Sequence, residues 1–182
     1  NAIYYVEDII RKEEPFSEWQ IRNIHQLILK NIDDDNAGRY RQQNVLISGA
    51  TSTPPDYTLL NDKMTQLVDW YNSEAHKLHP IERAAKVHAD FVGIHPFIDG
   101  NGRTSRLLMN LELLKAGYPP CVITVENRLA YYEALDQWMA YGKTEAFIQL
   151  VSAAVLEGFK PYQVVLNLSL IHISEPTRRY AI

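Results

Sequence analysis

One stretch constrains this chain more than any other: His95-Pro96-Phe97-Ile98-Asp99-Gly100-Asn101-Gly102-Arg103-Thr104-Ser105-Arg106. Upstream of it, residues 81–94 read as an apolar helix, which Pro96 ends by disfavouring helical geometry at His95. Downstream, Leu107, Leu108, Leu111 and Leu114 recur at helical spacing, so a second buried helix is expected to start near Arg103. The turn between them holds a histidine, a carboxylate, two glycines flanking an amide, and then two arginines. Glycines let backbone N–H groups approach a ligand, and a helix N-terminus adds about half a positive charge. Gly100, Asn101 and Gly102 therefore predict an anion site suited to phosphates. Arg103 and Arg106, at i and i+3, can add guanidinium donors to the same anion. Asp99 offers a hard oxygen ligand for the magnesium that accompanies nucleotide phosphates. His95, at the entrance, is free to move a proton. The alternative is a tight interhelical turn with solvated arginines; the whole string in one loop favours the functional reading.

With 182 residues, 46% of them apolar and 22% charged, the chain suits one folded domain with a sizeable core. A net charge of -4 argues against a broad basic surface, so nucleic acid is not an expected partner. No apolar run approaches a membrane span and no signal peptide is visible. No membrane contact is expected in this segment, and a cytoplasmic location is the default. The first residue is Asn rather than Met, which reads as a fragment, so absent targeting signals carry little weight. The single Cys121 excludes an internal disulfide framework.

Along the chain, Val6, Ile9 and Ile10 belong to an amphipathic helix stopped near Pro15. Ser17 and Gln20 form a capping box for a second helix carrying Ile21, Ile24, Leu27 and Ile28 on one face. His25 beside this stripe reads as structural or solvent-facing. Asp33-Asp34-Asp35 reads as a solvated turn. Residues 42–50 have strand character, Val45 and Ile47 alternating with Leu46 and Ser48, and are expected to form a small β-hairpin. Residues 57–75 return to helical periodicity. His76 and His79 have a spacing that can ligate zinc, but Pro80 follows and a capping or loop role is favoured. His88 reads as a packed core histidine under the loop. Residues 127–140 are helical and carry Tyr131 and Tyr132, of which one can stack on a base. A last helix is expected over 145–159, and the main domain over 1–168. Residues 169–182 show no helical pattern and read as a non-native tail.

The twelve-residue string is similar, without a mismatch, to the H-P-F-x-[D/E]-G-N-G-R-x-x-R motif of the Fic domain family. Ala37-Gly38-Arg39-Tyr40-Arg41, His79-Pro80, Leu107-Leu108-Met109-Asn110 and Ala116-Gly117-Tyr118-Pro119-Pro120 also resemble the branch that includes the metazoan Fic protein of the endoplasmic reticulum. The resemblance implies an all-α core, spanning about 36–160, with a β-hairpin flap (Asn44, Val45, Leu46, Ile47) that docks a target protein over the active site. It implies transfer of AMP from ATP, with magnesium, to a Ser, Thr or Tyr hydroxyl. His95 would be the base, Asp99 the metal ligand, and Gly100, Asn101, Gly102, Arg103 and Arg106 the phosphate site. Tyr131 and Tyr132 match positions lining the adenine pocket, whereas Met139 or Ala140 falls where the family has an asparagine. A homodimer stays open. Many relatives carry an inhibitory glutamate in [S/T]-x-x-x-E-[G/N]; here Glu157-Gly158 comes nearest, with Ser152 one residue out of step. Self-modification is therefore expected. Transfer of another phosphate-containing moiety, removal of AMP, and a nucleotide-binding module without turnover are the competing readings.

Overall fold

The computed structural model describes residues 2–12 and 15–174, and every regular element among them is helical. In chain order these are α1 (Ala2–Lys12), α2 (Glu18–Leu29), α3 (Leu60–Ser73), α4 (Pro80–Ile94), α5 (Asn101–Lys115), α6 (Arg128–Tyr141) and α7 (Glu145–Ser174). Short 3-10 turns at Tyr57–Leu59 and Ala75–Lys77 flank α3. None of the described helices is long and apolar enough to cross a membrane.

The pair on either side of the motif loop forms the centre. α4 packs most extensively against α5, and α1, α2, α3, α6 and α7 surround the two. α4 is apolar almost all round, which a helix tolerates when it is enclosed. Its Val87, Phe91 and Ile94 join Ile9, Ile21, Ile24 and Met64 in one core. Ala84, Ala85, Ala89 and Val92 join Met109, Leu113, Leu135 and Phe147 in a second. From the turn between α4 and α5, Phe97 enters the first of these cores.

Helix boundaries follow local chemistry. Ser17 caps α2, its hydroxyl accepting from Gln20 N–H at 3.4 Å. His79 caps α4: Nδ1 accepts from Ile81 N–H at 3.3 Å while Glu82 accepts from His79 N–H at 3.3 Å, with Pro80 as first helical residue. That is the capping role expected for His79. α5 starts two residues before Arg103, because Gly100 turns the chain at φ +79° and leaves Asn101 already helical.

Three expectations are corrected. Residues 42–50 contain no strand and form no hairpin. No neighbouring strand runs beside them, and the segment's polar groups go elsewhere: Asn44 accepts from Tyr57 N–H at 2.9 Å and donates to Asp56 at 2.8 Å. Leu114 is exposed, since Leu108, Met109, Leu111 and Leu113 fill the two buried faces of α5. α7 continues past Phe159, through Pro161 and into residues 169–174, to Ser174. Pro161 removes one helical hydrogen bond, and no Gly or further Pro lies between it and Ser174 to stop the helix. Residues 175–182 of the expected tail lie outside the described residues.

α5 is tied to its neighbours by a buried carboxylate. Glu112, with no exposed surface, accepts from Tyr71 Oη at 2.6 Å and Arg83 Nε at 2.9 Å. Removing one partner of such a set leaves the others unpaired in a low-dielectric interior. Glu112→Ala is expected to destabilise the fold by about 3–5 kcal/mol, and Glu112→Gln by clearly less. Urea denaturation of the three proteins measures the difference.

Candidate active site

His95 is the C-cap of α4 and sits in the left-handed region at φ +50°. Its Nδ1 lies 3.3 Å from the carbonyl of Val92. A carbonyl only accepts, so Nδ1 carries the hydrogen and Nε2 of the neutral ring is left with its lone pair. Burial pushes the ring's pKa below its ordinary value; the Val92 carbonyl opposes this, Arg41 adds to it, and Asp99 opposes it. The result is a half-buried imidazole held neutral, with one nitrogen ready to accept a proton.

Five residues on, α5 begins at a Gly100 N-cap with no side-chain cap, unlike α2 and α4. Thr104 N–H is the first to bond back, to Gly100 O at 2.9 Å. The N–H groups of Asn101, Gly102 and Arg103 are therefore left for a ligand. The two glycines differ in kind. A Cβ at Gly100 would meet His25 Nε2 at 3.0 Å and would have to tolerate φ +79°, so the fold itself requires glycine. A Cβ at Gly102 would meet nothing closer than Arg106 Nη1 at 3.6 Å, so the space above it is open toward the cleft. The side chain of Asn101 turns inward, accepting from Phe97 N–H at 3.0 Å and donating to Phe97 O at 2.8 Å. Its amide braces the loop.

Asp99 accepts from Gly100 N–H at 2.6 Å and pairs with Arg103 Nη2 at 2.9 Å. No group of three or more potential metal-ligating side chains occurs among the described residues. A lone exposed carboxylate does not make a resident metal centre, but it fits magnesium, which takes one or two carboxylates and completes its shell with phosphates and water. Arg106 is exposed and makes no ion pair among the described residues. Glu157, the near miss to an inhibitory glutamate, pairs with Lys160 at 2.6 Å and does not line the cleft.

These groups border a cleft of about 680 Å³. Val92, Leu135 and Met139 form an apolar end, and Tyr131, Tyr132 and Arg128 line the same side. Tyr131 is nearly fully buried, its hydroxyl 2.9 Å from His88 Nε2; burial pushes that hydroxyl's pKa up to about 12, against the pull of Arg106. Tyr132 is half exposed, with the Arg128 guanidinium 5.6 Å from its ring centre. Of the two tyrosines, Tyr132 has the open face. Ile47, Ser48, Gly49 and Ala50 also line the cleft. Of Asn44, Val45, Leu46 and Ile47, only Ile47 lines the cleft: Asn44 anchors the segment, Val45 is half-buried outside the lining, and Leu46 is exposed.

Two buried residues were not singled out as part of the site by their sequence. His25 Nδ1 accepts from Gly38 N–H at 2.9 Å, which makes Nε2 the donor to Asp99 O at 2.9 Å. Its ring stacks on Phe97 with centroids 3.5 Å apart. Arg41 donates from Nε to His95 O at 2.9 Å, from Nη1 to Gln43 O at 2.8 Å and from Nη2 to Pro55 O at 2.6 Å. The available signal was the segment Ala37-Gly38-Arg39-Tyr40-Arg41, recognised as shared without a role.

Residues 15–113 match the model of the Fic/DOC family. The chain is 42% identical over 153 residues to Protein adenylyltransferase Fic of Nematostella vectensis, covering 83% of this chain and 35% of that protein. It is 40% identical over 126 residues to Protein adenylyltransferase fic-1 of Caenorhabditis elegans, covering 69% and 24%. Among solved structures, Fic-1 (residues 134–508) of C. elegans superposes with a TM-score of 0.79 at 31% identity, covering 92% of this chain and 51% of that one. The chain spans about a third or less of the length of these curated relatives.

The different needs of the two glycines give a direct comparison. Gly100→Ala is expected to lower stability by about 1–3 kcal/mol through left-handed strain and the His25 contact. Gly102→Ala is expected to keep stability while weakening phosphate binding. Denaturation and calorimetric titration with ATP read the two effects separately. A second expectation concerns acid. Burial pushes the pKa of His88 from 6.5 down to about 3, so below pH 6.5 the unfolded chain takes up a proton that the folded chain does not. Stability should therefore fall as pH drops from 6.5 toward 3, by roughly 1.4 kcal/mol per pH unit from this ring at the steepest. Denaturation at a series of pH values should give a shallower slope for His88→Gln.

Proposed function

This chain belongs to the Fic/DOC family, and from that premise we propose that it is a protein adenylyltransferase, moving AMP from ATP to a hydroxyl of a target protein. The observation that carries this reading is one cleft holding both an uncapped, glycine-opened helix N-terminus and a histidine whose Nε2 is unprotonated. The names of the relatives, each a protein adenylyltransferase, support the choice of transferred group.

In this mechanism the ATP phosphates rest on the N–H groups of Asn101, Gly102 and Arg103. Arg103 and Arg106 take up the remaining negative charge with charge-assisted bonds. Asp99 would hold magnesium, which neutralises phosphate charge when bound. Once phosphates engage Arg103, the Asp99–Arg103 pair opens and its carboxylate is available to the metal. Tyr132 stacks on the base, with Val92, Leu135 and Met139 enclosing it. Met139 gives no hydrogen bond to a base edge, so stacking rather than edge reading holds the nucleobase. The segment 47–50 lays the target along the cleft. His95 Nε2 takes the proton of the target hydroxyl as its oxygen bonds to the α-phosphorus. The bond to the β-phosphate bridging oxygen breaks and pyrophosphate leaves. Positioned phosphates and a base for the nucleophile are what such a transfer needs from a protein.

The test is intact-mass analysis after incubation with ATP and magnesium, alone and with lysate, repeated with GTP, CTP and UTP. AMP adducts on protein are the expected result. His95→Ala should lose transfer by roughly 10² to 10⁴-fold while ATP affinity stays unchanged. A variant that turns over at the wild-type rate removes His95 from the base role.

A further inference from the structure

Arg41 is a buried guanidinium, only 3% exposed, that makes no ion pair with a carboxylate among the described residues. A buried charge is tolerated only when its donors are satisfied. Here they end on three backbone carbonyls: those of Gln43 and Pro55, which are the two feet of the segment bordering the cleft, and that of His95. The backbone N–H of Arg41 adds a fourth bond, to Pro96 O at 2.9 Å. The segment between the feet has no strand to hold it. Its other side-chain anchors run elsewhere, Asn44 to Asp56 and Tyr57, and Thr51 to Asp136 on α6. Arg41 is therefore the residue through which this segment is bound to the loop that carries the base.

We propose that Arg41 is a positioning residue: its guanidinium registers the strap of residues 43–55 to the carbonyl of His95, so that strap and imidazole are set as one unit. On the adenylyltransferase reading, a target hydroxyl laid along the strap then arrives at Nε2 in reacting geometry. The three donors diverge from one planar group, a geometry that lysine cannot reproduce. No atom of Arg41 lines the cleft, so the nucleotide does not sense it directly. The charged groups that do border the cleft are Asp99, Arg103, Arg106, Arg128 and Asp136.

The experiment compares wild type, Arg41→Met and Arg41→Lys in three readouts. These are calorimetric titration with ATP and magnesium, hydrogen–deuterium exchange of the strap amides against those of α4 and α5, and single-turnover AMP transfer. For Arg41→Lys the expected result is unchanged ATP affinity, faster exchange confined to residues 43–55, and transfer slowed roughly 10²-fold, the scale on which a misplacement of about 1 Å acts. Arg41→Met should exaggerate the exchange and slow transfer further; if it does not fold, Arg41→Lys carries the same test. The proposal is overturned by strap exchange that stays at the wild-type rate, by ATP affinity that falls in step with transfer, or by α4 and α5 losing protection along with the strap. If wild type transfers no AMP, it is the functional reading that fails. The strap exchange and ATP titration then still judge the clamp.

Discussion

A turn with two left-handed residues, His95 at φ +50° and Gly100 at φ +79°, joins α4 to α5, and much of the structure serves to hold it. For a side chain larger than glycine that conformation costs of order 1–3 kcal/mol and persists only where surroundings over-determine it. Here they do. Arg41 takes the carbonyl of His95, Asn101 takes both backbone groups of Phe97, and His25 takes the carbonyl of Asp99. The carbonyls of His95 and Asp99 and both backbone groups of Phe97 face inward, where an unpaired polar group is costly. Side chains brought from distant segments supply partners that a regular helix or strand would have provided. The strain at His95 has a return, because the left-handed cap lets its ring donate to Val92 O and leave Nε2 unprotonated.

The electrostatics of the cleft are arranged in advance of any ligand. Three N–H groups and the guanidinium groups of Arg103 and Arg106 border the cleft, and the Asp99 carboxylate is bound to Arg103. An incoming polyphosphate would compete with Asp99 for Arg103 and meet no such competitor at Arg106 among the described residues. Preorganised donors of this kind are most effective where water is partly excluded. The charge on Arg41, behind the loop, acts in the same sense as burial by disfavouring protonation of His95. Both effects favour the neutral imidazole, whereas a bound anion would favour the imidazolium.

The sequence carried the central chemistry because that chemistry is local. His95 to Arg106 are contiguous, and the helix ends that orient them are set by neighbours such as Pro80, Pro96 and Gly100. The helices were legible for the same reason, their periodicity being a property of single segments. The strand expected at residues 42–50 failed because alternation reports a two-faced environment and not a pairing partner. Here Val45 and Ile47 are half-buried while Leu46 and Ser48 are exposed, an alternation that arises without a sheet. Leu114 was assigned to the core because four leucines shared a spacing, whereas the buried arcs of α5 are set by neighbours on two sides. His25 and Arg41 were unreadable as site residues because their partners lie 74 and 54 positions away. No local rule links such positions.

That distance explains why α2 supports the site although none of its residues lines the cleft. The chain leaving α2 turns at Gly38, where a Cβ would meet Arg22 O at 3.0 Å, and Arg22 Nε bonds Gly38 O at 2.7 Å. Gly38 N–H fixes the tautomer of His25, and three residues later Arg41 enters the space behind His95. The segment 37–41 is therefore a short bridge that delivers one buried donor to each end of the motif loop. Its anchoring by Arg22 makes the position of α2 a condition for the geometry at both ends. A displacement of α2 would reach Asp99 through His25, and one at the end of the bridge would reach His95 through Arg41. The motif loop is in this sense read out from α2, and a change in its packing acts on the loop without touching a residue of the cleft.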